Sequence, residues 1–133
     1  MIELLELSQV LKAVESTGTE VRYYDKACDT EGMAGFYELS PDVDRLVVCT
    51  RNQLNHSDLF DTVRHEAIHV VQACYGGPLL PLERYIEDAS HATHAAVADY
   101  PKDHKHIEYE AWHLAEVLHE DDVVKLIDKF CFE

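Results

Sequence analysis

The chain has 133 residues, enough for one domain with one modest core. A hydrophobic content of 47% is that of a folded globular protein rather than a disordered one. Lys and Arg total 11 against 26 Asp and Glu, a net charge of −15, which repels phosphate backbones and anionic membranes and argues against nucleic-acid and membrane-surface binding.

Residues 2–16 place Ile2, Leu4, Leu5, Leu7, Val10, Leu11 and Val14 near helical spacing, with Glu3, Glu6, Gln9, Lys12 and Glu15 between them. A core-packing helix ending at Thr17-Gly18-Thr19 is expected. Three strands follow from β-branched and aromatic runs bounded by turn residues: Val21–Tyr24, Met33–Leu39 and Arg45–Thr50. A helix is expected from Ser57, as N-cap, to the Gly76-Gly77-Pro78 stop, with Asp58 and Asp61 near its positive end. Three more helices are expected at about 82–98, 106–118 and 121–130. The fold class is therefore α+β: a helix and a small three-stranded sheet, then a helical half, in a single domain over residues 1–133.

The four cysteines, Cys28, Cys49, Cys74 and Cys131, form no C-x-x-C pair, so a cysteine zinc site is not expected. Residues 1–6 carry no basic region or export-type apolar run, and no stretch approaches the ~20 apolar residues of a membrane span. A cytoplasmic protein with reduced thiols is the expectation, although a Cys28–Cys49 pair is compatible with the sequence.

The stretch His65-Glu66-Ala67-Ile68-His69 reads H-E-x-x-H. On a helix the two histidines, four apart, lie on one face and can grip one metal ion. Glu66 then reaches the open coordination position, where a carboxylate can act as general base. The alternative is a helix with two ordinary histidines. A catalytic zinc needs a third protein ligand. A further histidine in the H-x-x-G-x-x-H continuation is absent, because Gln72 and Tyr75 stand at those offsets. The downstream candidates are His91, His94, His104, His106, Glu108, Glu110, His113 and His119.

Glu108-Tyr109-Glu110-Ala111 resembles the E-x-x-A segment that supplies the third ligand in gluzincin metallopeptidases. The order of helix, small sheet, H-E-x-x-H helix and glutamate helix resembles that of compact minimal gluzincins and of related intracellular and phage-encoded peptidases. The resemblance implies a zincin-like fold, a Zn²⁺ ion on His65, His69 and Glu108, Glu66 as general base, and a small residue, Ala111, where two helices approach. It also implies a peptide or protein substrate, bound as a strand added to Met33–Leu39 or Arg45–Thr50. Glu110 would point roughly 200° away from Glu108 on the helix.

One departure is Trp112, where family members often carry an Asp or Asn that orients a zinc histidine. An indole only donates, so another acceptor is needed: a backbone carbonyl, Asp61 or Asp88. His113, Tyr109, Tyr85 and His104 are the candidate donors to a transition-state oxyanion. The function expected is peptide-bond hydrolysis, the alternative being a zinc-binding or protein-interaction protein with little or no protease activity.

Overall fold

The computed structural model describes residues 2–132, with the side chains described from Leu4 onward. The expected placements of Ile2 and Glu3 on the first helix lie outside the described side chains. The elements run α1 (Ile2–Ser16), β1 (Glu20–Arg22), β2 (Gly35–Ser40), β3 (Val43–Val48), α2 (His56–Tyr75), α3 (Leu82–Asp88), α4 (His91–Val97), α5 (Lys105–Val117) and α6 (Glu120–Phe132). The α+β class is as expected: six helices and one three-stranded sheet among the described residues.

The sheet order is β1-β3-β2, with β1 parallel and β2 antiparallel to β3. This decides which strand is the free edge. The strand expected at Arg45–Thr50 is central, and the one expected at Met33–Leu39 forms an edge. Gly35 is required where β2 crosses α2, because a Cβ there would stand 2.7 Å from the Val47 carbonyl oxygen and 2.9 Å from Thr62 Cγ2.

The longest helix, α2, runs through the middle of the core. Its Val63, Ala67, Ile68, Val70 and Val71 pack among Leu7, Val10, Leu11 and Val14 of α1, Leu46 and Val48 of β3, Ala111 of α5, and Val123 and Ile127 of α6. Burying apolar surface on nearly every side of α2 fixes its rotation, and with it the side chains it carries to the remaining face. Its N-cap is Asn55, not Ser57. The Asn55 side chain accepts from Asp58 N at 2.9 Å, which starts the helix two residues earlier than expected. Gly76 ends it in the left-handed region at φ 96°, donating to the Gln72 carbonyl at 2.8 Å.

Two expectations are corrected here. The helix expected at 82–98 is two helices. Ala89 is extended at ψ 146°, and Ser90 caps the second by accepting from Thr93 N at 3.1 Å. The cysteines are paired rather than reduced: Cys28 with Cys49 and Cys74 with Cys131. The first pair ties the 26–29 turn to the end of β3, and the second ties the C-terminal turns of α2 and α6 together. The reduced thiols that were expected along with a cytoplasmic location are not found. No helix among the described residues is long and apolar enough to cross a membrane.

Candidate metal centre

His65 and His69 project from one face of α2, and Glu108 meets them from the first turn of α5. His65 Nε2 lies 3.2 Å from Glu108 Oε1, His69 Nε2 lies 3.3 Å from Glu108 Oε2, and the two Nε2 atoms are 3.2 Å apart. Ala111, fully buried one turn after Glu108, belongs to the core that α2 shares with α5, so no larger side chain holds the helices apart there. Glu110 points elsewhere, as its angle from Glu108 requires.

The cluster passes a test of fit for a tetrahedral metal. Bonds of about 2.0–2.1 Å at tetrahedral angles put ligand atoms roughly 3.3 Å from one another, close to the 3.2 Å between the two Nε2 atoms and the 3.2 and 3.3 Å from each to its facing Glu108 oxygen. Glu108 Oε1 is buried, and the polar group beside it is the Nε2 of His65, itself a candidate ligand. Two imidazole nitrogens and a carboxylate turned on one point form a donor set for a cation. One ligand atom from each of His65, Glu66 and His69 also lies within 4.8 Å of the others, so Glu66 adjoins the same point.

The electrostatics follow from burial and charge. Burial opposes ionisation of Glu108, but hydrogen bonds from His65 and His69 and then their charges outweigh it, holding the carboxyl down at about 2. Burial likewise lowers His69, yet the hydrogen bond to Glu108 and the charges of Glu66 and Glu108 carry it up to about 9. Glu66 is raised as well. Burial raises it, against the lowering by both histidines and by the main-chain N–H of Tyr37.

The acceptor expected behind a histidine is neither Asp61 nor Asp88. Asp61 pairs with Arg64, and Asp88 is exposed at the end of α3. Gln72, one turn beyond His69, takes that place, with Oε1 2.8 Å from His69 Nδ1. Its Nε2 donates to the Ile107 carbonyl at 3.0 Å and to Glu110 Oε1 at 2.9 Å, so its oxygen is the atom left to face His69. This arrangement assigns the proton to Nδ1 and leaves the Nε2 lone pair turned to the cluster.

A cleft of about 600 Å³ opens beside these groups, lined by the 30–35 segment leading into β2, Asp61, Thr62, His65 and Glu66 of α2, Ala92, Tyr100, and Trp112, Ala115 and Glu116 of α5. The wall at 28–34 is held by Asn52, which donates to the Cys28 and Met33 carbonyls, and by Gln53, which donates to that of Ala34. The lining carries Glu31, Asp61, Glu66 and Glu116 and no Lys or Arg. Trp112 stacks edge-on to His65 with ring centroids 5.0 Å apart, and its indole N–H is buried without a hydrogen-bond partner.

Three residues of the site were not singled out from the sequence for the places they take. Gln72 appeared only where the rejected pattern needs a glycine, although i+3 from His69 is helical neighbour spacing. Glu110 is fully buried behind the cluster. Tyr100 lies against Glu108 and Trp112, its ionisation raised first by burial and then by the Glu108 charge. Its signal was a hydroxyl-bearing aromatic immediately before the glutamate helix. Of the donors expected from sequence, Tyr85 gives its hydroxyl to Glu110 at 2.6 Å, Tyr109 bonds to His94 Nδ1 at 2.9 Å, and His113 packs on Tyr85. His104 is exposed, and none of these four lines the cleft. His91 is exposed, and His106 Nε2 meets the Leu80 carbonyl at 2.7 Å.

The arrangement is that of an α+β protein with a two-histidine, one-glutamate cluster beside an acidic cleft that His65 and Glu66 line. The chain belongs to the family described as a domain of unknown function, DUF8637, which matches residues 2–132. No curated protein and no solved structure matches it.

Proposed function

We propose that the protein is a zinc-dependent peptidase of gluzincin type, with His65, His69 and Glu108 as metal ligands and Glu66 as general base. The observation that carries this reading is the convergence of three side chains, with the two histidine Nε2 atoms 3.2 Å apart and each 3.2–3.3 Å from one oxygen of Glu108, next to the buried Glu66 in an open cleft. A zinc ion there would acidify a water and polarise the scissile carbonyl. The Glu66 carboxylate takes the proton of the attacking water and hands it to the leaving amine. Its burial raises its proton affinity toward the working range of a general base. Tyr100, which lines the cleft against Glu108, is the donor for the oxyanion formed at the substrate carbonyl.

The substrate is an extended peptide lying along β2. Cys49 N donates to the Ala34 carbonyl at 2.9 Å, one step beyond the Gly35–Val48 pair. By antiparallel alternation, Gly35, Tyr37 and Leu39 then turn their main-chain groups to the free edge. Tyr37 N–H acts on Glu66, so that edge runs beside the general base. The carboxylates of the lining favour peptides bearing Lys or Arg.

A second reading, a zinc-binding protein with little hydrolytic activity, draws on Trp112, which offers a donor beside His65 where an acceptor would orient a ligand. Glu66→Gln separates the two. The variant should keep its zinc and lose hydrolysis of a basic peptide library by a factor of 10² or more. A zinc-loaded wild type that cleaves none of that library would favour the second reading.

A further inference from the structure

Glu110 is the one fully buried carboxylate among the described residues, and it lies away from the metal-facing side of α5. Every group that meets it is a donor. Oε2 accepts from Leu79 N at 2.7 Å, Leu80 N at 3.2 Å and the Tyr85 hydroxyl at 2.6 Å. Oε1 accepts from Leu79 N at 3.0 Å and Gln72 Nε2 at 2.9 Å. Both oxygens therefore act as acceptors, and Oε1 takes one hydrogen of the Gln72 amide. This network reaches His69 through a single amide, because Gln72 spends its two N–H bonds on Glu110 and the Ile107 carbonyl and leaves its oxygen for His69 Nδ1.

We infer that Glu110 is a positioning residue for His69: acting through Gln72, it fixes the ring in the Nδ1–H form, which alone presents an unprotonated Nε2 to a metal. The inference rests on the proposed metal site for its purpose but not for its test. Replacing Glu110 by Gln keeps the shape and changes one oxygen to an NH₂ group. Three donors converge on the Oε2 position, so the amide oxygen goes there and the NH₂ faces Gln72. The Gln72 NH₂ then either faces the new NH₂ without a bond or turns away, and turning sets the Gln72 oxygen against the Ile107 carbonyl. Either way a hydrogen bond that fixes the Gln72 oxygen on Nδ1 is lost, and the Nε2–H form becomes populated.

The experiment is ¹⁵N NMR of the histidine rings in metal-free protein, at a pH where His69 is neutral, with zinc affinity measured alongside. The wild type should show the Nδ1–H form. Glu110→Gln and Gln72→Met, which removes the acceptor itself, should each show a mixture of the two forms. Both variants should bind zinc roughly tenfold to a hundredfold more weakly. Tyr85→Phe removes a donor to Glu110 but leaves the Gln72 amide held, and should keep both the Nδ1–H form and the affinity. The same tautomer in wild type, Glu110→Gln and Gln72→Met would overturn the inference, as would a loss of affinity in Tyr85→Phe equal to that in Glu110→Gln. If Glu110→Gln does not fold, Gln72→Met decides. A wild type that holds the Nδ1–H form but takes up no zinc would uphold the positioning role and remove the peptidase reading.

Discussion

Arg64 of α2 and Glu120 of α6 form an ion pair whose side chains are only 14% and 10% exposed. Arg64 precedes the first histidine of the cluster, and its Nε also donates to the Ala115 carbonyl at 2.8 Å. One side chain therefore joins the site-bearing turn of α2 to the end of α5 and the start of α6. Glu120→Ala leaves a mostly buried guanidinium with Asp61 as its remaining carboxylate. The expected cost is about 3 kcal/mol, toward the low end for breaking a buried pair because Asp61 stays. Chemical denaturation measures it, and a cost within error of zero would mean that water, not Glu120, satisfies the arginine.

The two disulfides carry a stability expectation of their own. Cys74 and Cys131 are 57 residues apart and Cys28 and Cys49 are 21 apart. On the chain-entropy account, closing loops of those lengths stabilises the fold by about 4 and about 3 kcal/mol respectively. Protein denatured without reductant should show no reactive thiol. Reductant should lower the unfolding free energy, with the larger share removed in a Cys74→Ala/Cys131→Ala variant. Four reactive thiols in the denatured, unreduced protein would restore the reduced state expected from the sequence.

Alkaline pH should weaken the fold through its buried phenols. Burial, and then the hydrogen bond to Glu110, raises the ionisation of Tyr85 above the ordinary phenol range; burial and the bond to Asp44 do the same for Tyr37. A folded pKa above the unfolded value stabilises fully below the ordinary value of about 10, and that stability is lost as pH rises past it. The denaturation midpoint, already lowered between about pH 6.5 and about 9 as the raised His69 loses its proton, should therefore fall further above about pH 10. Tyr85→Phe should reduce that slope without abolishing it, because Tyr37 remains. Its cost near neutral pH should be about 1.5–3 kcal/mol for a hydrogen bond to a charged acceptor. Identical slopes in wild type and variant would show that Tyr85 does not ionise with unfolding.

The three clustered residues were legible in the sequence because the pattern that points to them is local. His65 and His69 sit one helical turn apart, and Glu108 lies three residues before a small residue on a later helix. The α+β order was legible from periodicity and turn residues. What escaped depended on tertiary contacts. Leu82 to Val97 reads as one apolar-periodic run, and the break at Ala89 is made by Ser90 capping Thr93. Asn55 and Ser57 are both good caps, and the Asn55 contact to Asp58 N starts the helix earlier. Gln72 and Glu110 are 38 residues apart, so no spacing rule joins them. The cysteine pairing was not legible either, since Cys74 and Cys131 meet only because α2 packs on α6.

Zinc stoichiometry of the purified wild type, beside His65→Ala and Glu108→Ala, tests the central claim most directly. The account predicts close to one zinc per chain in the wild type, with binding lost or much weakened in both variants, and uptake that releases protons and weakens in acid. Zinc retained in Glu108→Ala but lost in His65→Ala would contradict the assignment of Glu108 as third ligand. A wild type that takes up no zinc even when incubated with the metal would contradict the metal centre itself.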